Sequence, residues 1–410
     1  MSTSERPAGA GGTPLRTRPF PSWPVWDTQD EDALLQVLRS GRWGEIDSDV
    51  VGKFEARFAD FQQARHCVAV VNGTAALRIA YRALDVGYGD EIIVPPYTFI
   101  ATASAALEVG AVPVFADIDP DTYLLDATAV EAAITPRTRV IVPVHVAGCP
   151  ADMDALRAVA VRHGVRLVED AAQAPGATWN GQGVGSLGDL GTFSFQASKN
   201  LNSGEGGAIV TNNPDLAERV WSLHNVGRTR TGAWYHHELL GGNDRLTAFQ
   251  AALLITQLDK LPEQMARREA GATYLDQALA KIEGIHPMRR QPQVTAHAHH
   301  LYMFRYDSQA FGGLERDGFV GALRAEGIPC TVGYSMISNE TAILTETARL
   351  CAALGRERPA HPAHLPAAER ACAEGIWLPQ QLLLAGEDDL RDVVEAILKV
   401  QRRVATLAHA

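Results

Sequence analysis

Between residues 66 and 170 the chain alternates short apolar runs with helical windows, and this rhythm leaves few folds open to it. The runs at 67–71, 91–94, 112–116, 140–144 and 165–169 are rich in Val and Ile. The stretches at 75–84, 98–109, 130–134 and 152–163 place their apolar residues at helical spacing. Short strands separated by single helices predict βαβ units, hence an α/β protein with a mostly parallel central sheet covered on both faces. After Gly188 the rhythm changes, and 191–195 and 208–211 read as strands joined by a Gly-rich link. Upstream, Val51, Phe54, Phe58 and Phe61 mark one helical face. A helical stretch over 246–282 is expected to be interrupted at Pro262. Beyond it come a strand at 302–306, a helix at 318–326, a loop at 352–368 and a last helix at 388–404 whose first turn is Glu387-Asp388-Asp389. The predicted organisation is a flexible segment, 1–24, with anchoring near Phe20 and Trp23, a large domain, 25–265, and a small α+β domain, 266–410.

Charge and cysteine content remove several functions. Lys and Arg total 37 against 48 Asp and Glu, a net charge of −11, so the chain has no basic footprint for nucleic acid or anionic membranes. The most apolar stretch, 98–118, is broken by Glu108, Pro113 and Asp117, which excludes a transmembrane span there. The five cysteines, Cys67, Cys149, Cys330, Cys351 and Cys372, are odd in number and never in a CxxC pair. They argue against a disulfide framework and for a reducing cytoplasm, and no apolar leader is visible.

Gly183-Val184-Gly185-Ser186-Leu187-Gly188 matches the dinucleotide pattern G-x-G-x-x-G. That motif needs a strand before it and a helix after it. Here a turn precedes and a strand follows, so the stretch reads as a Gly-rich loop. A sharper pair is Asp170, at the carboxyl end of a predicted strand, and Lys199, 29 residues on in SFQASKNLNSGEGG. A lysine that forms a Schiff base and a carboxylate that pairs with a pyridinium nitrogen make chemical sense as a pyridoxal phosphate site. Asn72-Gly73-Thr74, between a strand and a helix, would cradle the phosphate, unless it is a plain turn with Thr74 as cap, and Ser194 adds a hydroxyl. His236-His237 and His297, His299 and His300 lack the spacing of a zinc site, so no metal is expected.

The stretches NGTAALRIAYRALDVGYGDE, GAVPVFADIDPDTYLLD, HGVRLVEDAAQAPGA and GDLGTFSFQASKNLNSGEGGAIVTNN resemble the DegT/DnrJ/EryC1/StrS family of sugar aminotransferases, from about Leu34 to Lys399. SLHNVGRTRTGAWYHHELLGGNDRLTAFQAALL and GIWLPQQLLL resemble its branch of glutamine:inosose aminotransferases. The resemblance implies a fold-type I enzyme that uses pyridoxal 5'-phosphate to move an amino group from L-glutamine or L-glutamate to a keto-cyclitol. It implies that Lys199 holds the cofactor and shuttles the proton, that Asp170 partners the ring nitrogen, and that Gln173 packs beside the ring. It further implies that Gly73, Thr74 and Ser194 hold the phosphate, that Phe99 stacks on the ring, and that Asn243 reaches the phosphate of a neighbouring subunit. The active site would then be shared within a homodimer. The family pattern Asn-Tyr-Arg is here Asn243-Asp244-Arg245, preceded by Gly242 where the branch has Trp. Tyr334 is a candidate substrate contact. Arg228 is a candidate for a carboxylate, with an ordinary salt bridge the alternative. Competing expectations are a nucleotide-linked keto sugar held by Arg289-Arg290 or Arg228-Thr229-Arg230, an aminohydroxybenzoate synthase, or a non-catalytic pyridoxal phosphate-binding regulator.

Overall fold

The computed structural model of the chain describes residues 6–357 and 364–407. Helices α1 (Thr28–Ser40) and α2 (Val50–Phe61) lead into β1 (His66–Val70), α3 (Gly73–Ala83), β2 (Glu91–Val94), α4 (Ala101–Glu108), β3 (Val112–Phe115), α5 (Ala127–Ala133), β4 (Thr138–Ile141), α6 (Met153–His163) and β5 (Arg166–Asp170). A small hairpin, β6 (Thr178–Trp179) and β7 (Gln182–Gly183), precedes β8 (Leu190–Ser194) and β9 (Gly207–Thr211). The large sheet runs β1-β9-β8-β5-β4-β2-β3. From β8 to β3 the neighbours are parallel, and β9 is antiparallel to both β8 and β1. The reversal falls where no helix intervenes, because the short link after β8 can return the chain only antiparallel. Ile92, Ile93, Val140, Ile141, Val168 and Val210 are buried, as strands covered on both faces require. The predicted face of α2 docks there. Phe58 meets Phe193 and Phe195 edge-to-face at 5.0 and 5.3 Å, pairs that add about 1 kcal/mol each beyond their burial.

The chain leaves this sheet through α7 (Pro214–His224) and α8 (Ala248–Leu279). Pro262 does not interrupt α8, which runs 32 residues through it. The proline costs a hydrogen bond, about 3 kcal/mol in a helix interior. Leu254, Leu258 and Leu261 before it and Leu275 and Leu279 after it are all buried, and that packing outweighs the loss.

Beyond α8 a second lobe holds β10 (Ile285–Pro287), β12 (Leu301–Tyr306), α9 (Arg316–Ala325), β13 (Thr331–Val332), α11 (Pro366–Glu374), β14 (Gly375–Pro379) and α12 (Glu387–Leu407), while β11 (Val294–Ala296) pairs back onto β6 and α10 (Thr341–Ala353) packs on the large core. The lobe's antiparallel sheet is ordered β10-β12-β14-β13. The stretch expected to be a loop, 352–368, instead contains the end of α10 and the start of α11, and its middle lies outside the described residues. Pro366 opens α11, a position where its missing N–H costs nothing. The segment expected to be flexible is docked from Ala8 onward. Glu326 accepts the Ala8 and Leu15 N–H groups at 2.8 and 2.9 Å, and buried Arg16 pairs with Asp389 and Asp392 at 2.8 and 2.7 Å.

The Gly-rich stretch 183–188 encloses a carboxylate. Glu169, fully buried, accepts the N–H groups of Gly185, Leu187 and Gly188 at 2.7, 2.8 and 2.6 Å. His145 Nδ1 accepts the Ala151 N–H at 3.0 Å, so a neutral ring carries its proton on Nε2 and donates it to Glu169, also 3.0 Å away. These amides are therefore committed to Glu169 and not free to cradle a phosphate. Glu169→Ala would leave buried donors unpaired. The expected loss is about 3–5 kcal/mol of stability, read as a lower denaturation midpoint in guanidinium.

Candidate active site

The carboxyl ends of β1, β5 and β8 converge on a cavity of about 940 Å³, where open α/β sheets bind ligands. Gly73, Thr74, Phe99, Asp170, Gln173, Ser194, Lys199 and Tyr334 all line it. Helix α3 starts directly after β1, and Asn72, not Thr74, is its cap: the Asn72 side chain accepts the Ala75 N–H at 2.8 Å. Helix-start amides and the Thr74 hydroxyl thus border the cavity, with the helix dipole behind them. Only glycine fits at position 73, because a Cβ there would stand 2.8 Å from Ser194 Cβ. The Ser194 hydroxyl is thereby brought against the start of α3.

Asp170 closes β5, where its Oδ2 accepts the Thr102 hydroxyl at 2.8 Å and its Oδ1 the Ala172 N–H at 3.2 Å. Burial pushes its pKa up, while those two donors and the Lys199 charge pull it down. Lys199 lies in the link between β8 and β9. Burial lowers its amine to about 8 against the pull of Asp170. Gln173 is fixed at both ends: its Oε1 accepts the Ala147 N–H at 2.7 Å and its Nε2 donates to the Tyr334 hydroxyl at 2.9 Å. Phe99 is 58% exposed, so it is a wall of the cavity and not core.

Arg228 and Asn243 stand apart from this cavity. Arg228 donates to the Trp234 carbonyl at 2.9 Å and lies 4.1 Å over that residue's ring. Asn243 is exposed and bridges Asn225. Three contributors escaped the sequence: Thr102 on α4, Trp23 in the N-terminal segment, and Gln380 just after β14. Each is remote in the chain from the motif it joins. His299 is held by Glu269 at 2.8 Å and His300 by Asn200 at 3.1 Å.

A helix start with two hydroxyls suits a phosphate, a carboxylate held by a hydroxyl and an amide suits a ring nitrogen, and a lysine with a lowered pKa suits an aldehyde. The donor set therefore fits pyridoxal phosphate.

The family model for DegT/DnrJ/EryC1/StrS aminotransferases matches residues 24–398. The L-glutamine:2-deoxy-scyllo-inosose aminotransferase of Streptoalloteichus tenebrarius is 43% identical over 95% of this chain and 96% of its own. Its counterpart from Streptomyces kanamyceticus is 41% identical over 99% of both. The solved structure of 3-amino-5-hydroxybenzoic acid synthase matches with a TM-score of 0.85 at 37% identity, over 96% of this chain and all of that one. Among the described residues, no helix is long and apolar enough to cross a membrane.

Proposed function

The chain belongs to the DegT/DnrJ/EryC1/StrS aminotransferase family, and on that footing we propose that it transfers the amino group of L-glutamine to a keto-cyclitol such as an inosose. It is a pyridoxal-phosphate-dependent transaminase. The observation that supports an uncharged polyol acceptor is electrostatic. Among the described residues, Lys199 is the one cation on the cavity wall. The arginines that would have gripped a nucleotide diphosphate are engaged elsewhere: Arg289 with Asp119 at 3.3 Å, Arg290 with Glu269 at 2.5 Å and Arg230 with Glu218 at 2.8 Å. The wall offers aromatic faces instead, Tyr334 and Trp377, whose rings meet edge-to-face at 4.5 Å. Such faces suit the C–H side of a cyclic polyol.

When bound, pyridoxal phosphate supplies an electron-accepting ring that stabilises negative charge on the substrate carbon. Lys199 is the residue that would anchor the cofactor, and its amine is the base placed to take the proton from the donor's α-carbon. A pKa near 8 keeps a useful fraction neutral at physiological pH. Asp170, whose carboxylate accepts from the Thr102 hydroxyl and the Ala172 N–H, is the group that would partner the ring nitrogen. The Gly73 and Thr74 amides with Ser194 would hold the phosphate, Phe99 would cover the ring, and Gln173 and Tyr334 would border the acceptor.

We infer further that the enzyme is a homodimer with a shared active site, working in the cytoplasm. Exposed Asn243 is then free to reach the phosphate in the neighbouring subunit, and Leu35, Leu38 and Trp43 present an exposed apolar face along and just after α1. All five cysteines are free, as a reducing compartment allows. We take 25–265 as the large lobe and 266–410 as the small one.

Absorbance spectroscopy tests the reaction. L-glutamine is expected to convert the spectrum of the lysine-bound cofactor to that of the aminated cofactor, and a keto-cyclitol such as 2-deoxy-scyllo-inosose to restore it. Turnover with a nucleotide-linked keto sugar, and none with cyclitols, would overturn the acceptor assignment.

A further inference from the structure

Arg268, on α8, is fully buried, and among the described residues no carboxylate pairs with it. Its Nε donates to Gln380 Oε1 at 2.8 Å, its Nη2 reaches Gln264 Oε1 at 3.4 Å, and its Nη1 has no hydrogen-bond partner. The Trp23 ring lies 5.1 Å from its Cζ. Burying a cation without a counter-charge is costly, so such a group is uncommon unless something anionic is drawn to it.

The guanidinium also settles the orientation of its neighbour. Arginine has only donors, so the Gln380 atom facing it must be the oxygen. The Gln380 NH₂ therefore points away from Arg268. Gln380 lines the cavity, is 2% exposed, and its Nε2 has no hydrogen-bond partner among the described residues. A buried donor on a cavity wall, with an uncompensated positive charge behind it, is built for an anion. The cofactor phosphate already has the start of α3, Thr74 and Ser194, and a keto-polyol carries no charge.

We propose that Gln380, oriented and polarised by Arg268, receives the α-carboxylate of the amino-acid donor. This rests on the transaminase reading above. Trp23 links the parts: it packs on Arg268 and its indole N–H donates to the Ala197 carbonyl at 3.1 Å, two residues before Lys199. The carboxylate subsite and the reacting amine thus share a wall. Gln380 contacts substrate, and Arg268 is a positioning residue acting through it.

The test separates the two half-reactions in the holoenzyme. Gln380→Leu is expected to raise the apparent Kd for L-glutamine by about 10–100-fold, the worth of a hydrogen bond to a charged group. The acceptor half-reaction, run from the aminated enzyme, should change by no more than about three-fold. Gln380→Glu, which gives Arg268 a carboxylate and repels that of the donor, should weaken glutamine more than Gln380→Leu does. Arg268→Met should shift the donor Kd in the same direction, with Arg268→Lys restoring part of it. Calorimetric binding of α-methyl-L-glutamine, which has no α-hydrogen to lose, should show the same order without turnover. Unchanged donor affinity in Gln380→Leu, or equal losses in both half-reactions, would overturn the proposal. If the wild-type enzyme accepts amination from no amino acid, the transaminase reading fails instead, and that control is run first.

Discussion

A Lys199→Ala enzyme is expected to lose at least about 10⁴-fold in transamination rate, because one side chain carries both the anchoring of the cofactor and the proton transfer. Its holoenzyme should also lack the absorption of the lysine-bound cofactor. Rapid-mixing spectra with L-glutamine would separate the two defects, since slow formation of aminated cofactor can persist when the proton must move through water. Undiminished amination would remove Lys199 from the mechanism. The amine leaves a second signature in the cofactor-free protein. Its folded pKa, about 8, lies below the 10.5 of a free lysine, so between those values the unfolded chain binds more protons. Stability should therefore rise with pH across that window. The penalty for burying the charge is complete below about pH 8 and gone above about 10.5, and its full size is on the order of 3 kcal/mol. Cofactor-free Lys199→Met, free of that penalty, should exceed wild type in stability at pH 7, with the gap closing above pH 10. Urea unfolding at the two pH values measures it.

Asp170→Ala should cost about 10²–10⁴-fold in kcat/KM, since it removes the anion that keeps the ring nitrogen protonated and the ring electron-accepting. Asp170→Asn, which keeps the shape and loses the charge, should fall nearly as far. A subtler change isolates how Asp170 is tuned. Thr102 donates to the carboxylate at 2.8 Å, stabilising its charged form against burial. Thr102→Val should raise the Asp170 pKa and cost about ten-fold, as one hydrogen bond to a charged group predicts. Because a higher pKa means protonation at higher pH, the acid limb of the rate profile should move upward. A uniform loss at every pH would mean that Thr102 serves packing alone.

The legible parts of the molecule were those written locally. Each βαβ unit announces itself within thirty residues, and Asn72-Gly73-Thr74, Asp170 and Lys199 sit next to the strands that place them. Asn72 and Thr74 are both good caps for α3, and only geometry decides between them, in favour of Asn72. The rule that predicts a break at Pro262 counts the lost hydrogen bond and cannot see the buried leucines on either side of it. The end of α10 and the start of α11 fall in a stretch, 352–368, whose Pro, Ala and His content signals a loop, and local preference says little about a face that packs on the large core. Arg268 and Gln380 lie 112 residues apart and meet only in the folded chain.

The docking of the first residues carries a consequence for recombining this enzyme with its relatives. Acceptor preference would ordinarily be exchanged by grafting everything after one cut. Here that graft would fail twice. A cut at residue 265 severs α8 in mid-span, and it strands residues 6–24, which bind Glu326, Asp389 and Asp392 of the lobe being replaced while Trp23 borders the cavity. The exchangeable cassette is discontinuous: the leader must travel with the carboxyl-terminal lobe, and the seam belongs at an end of α8.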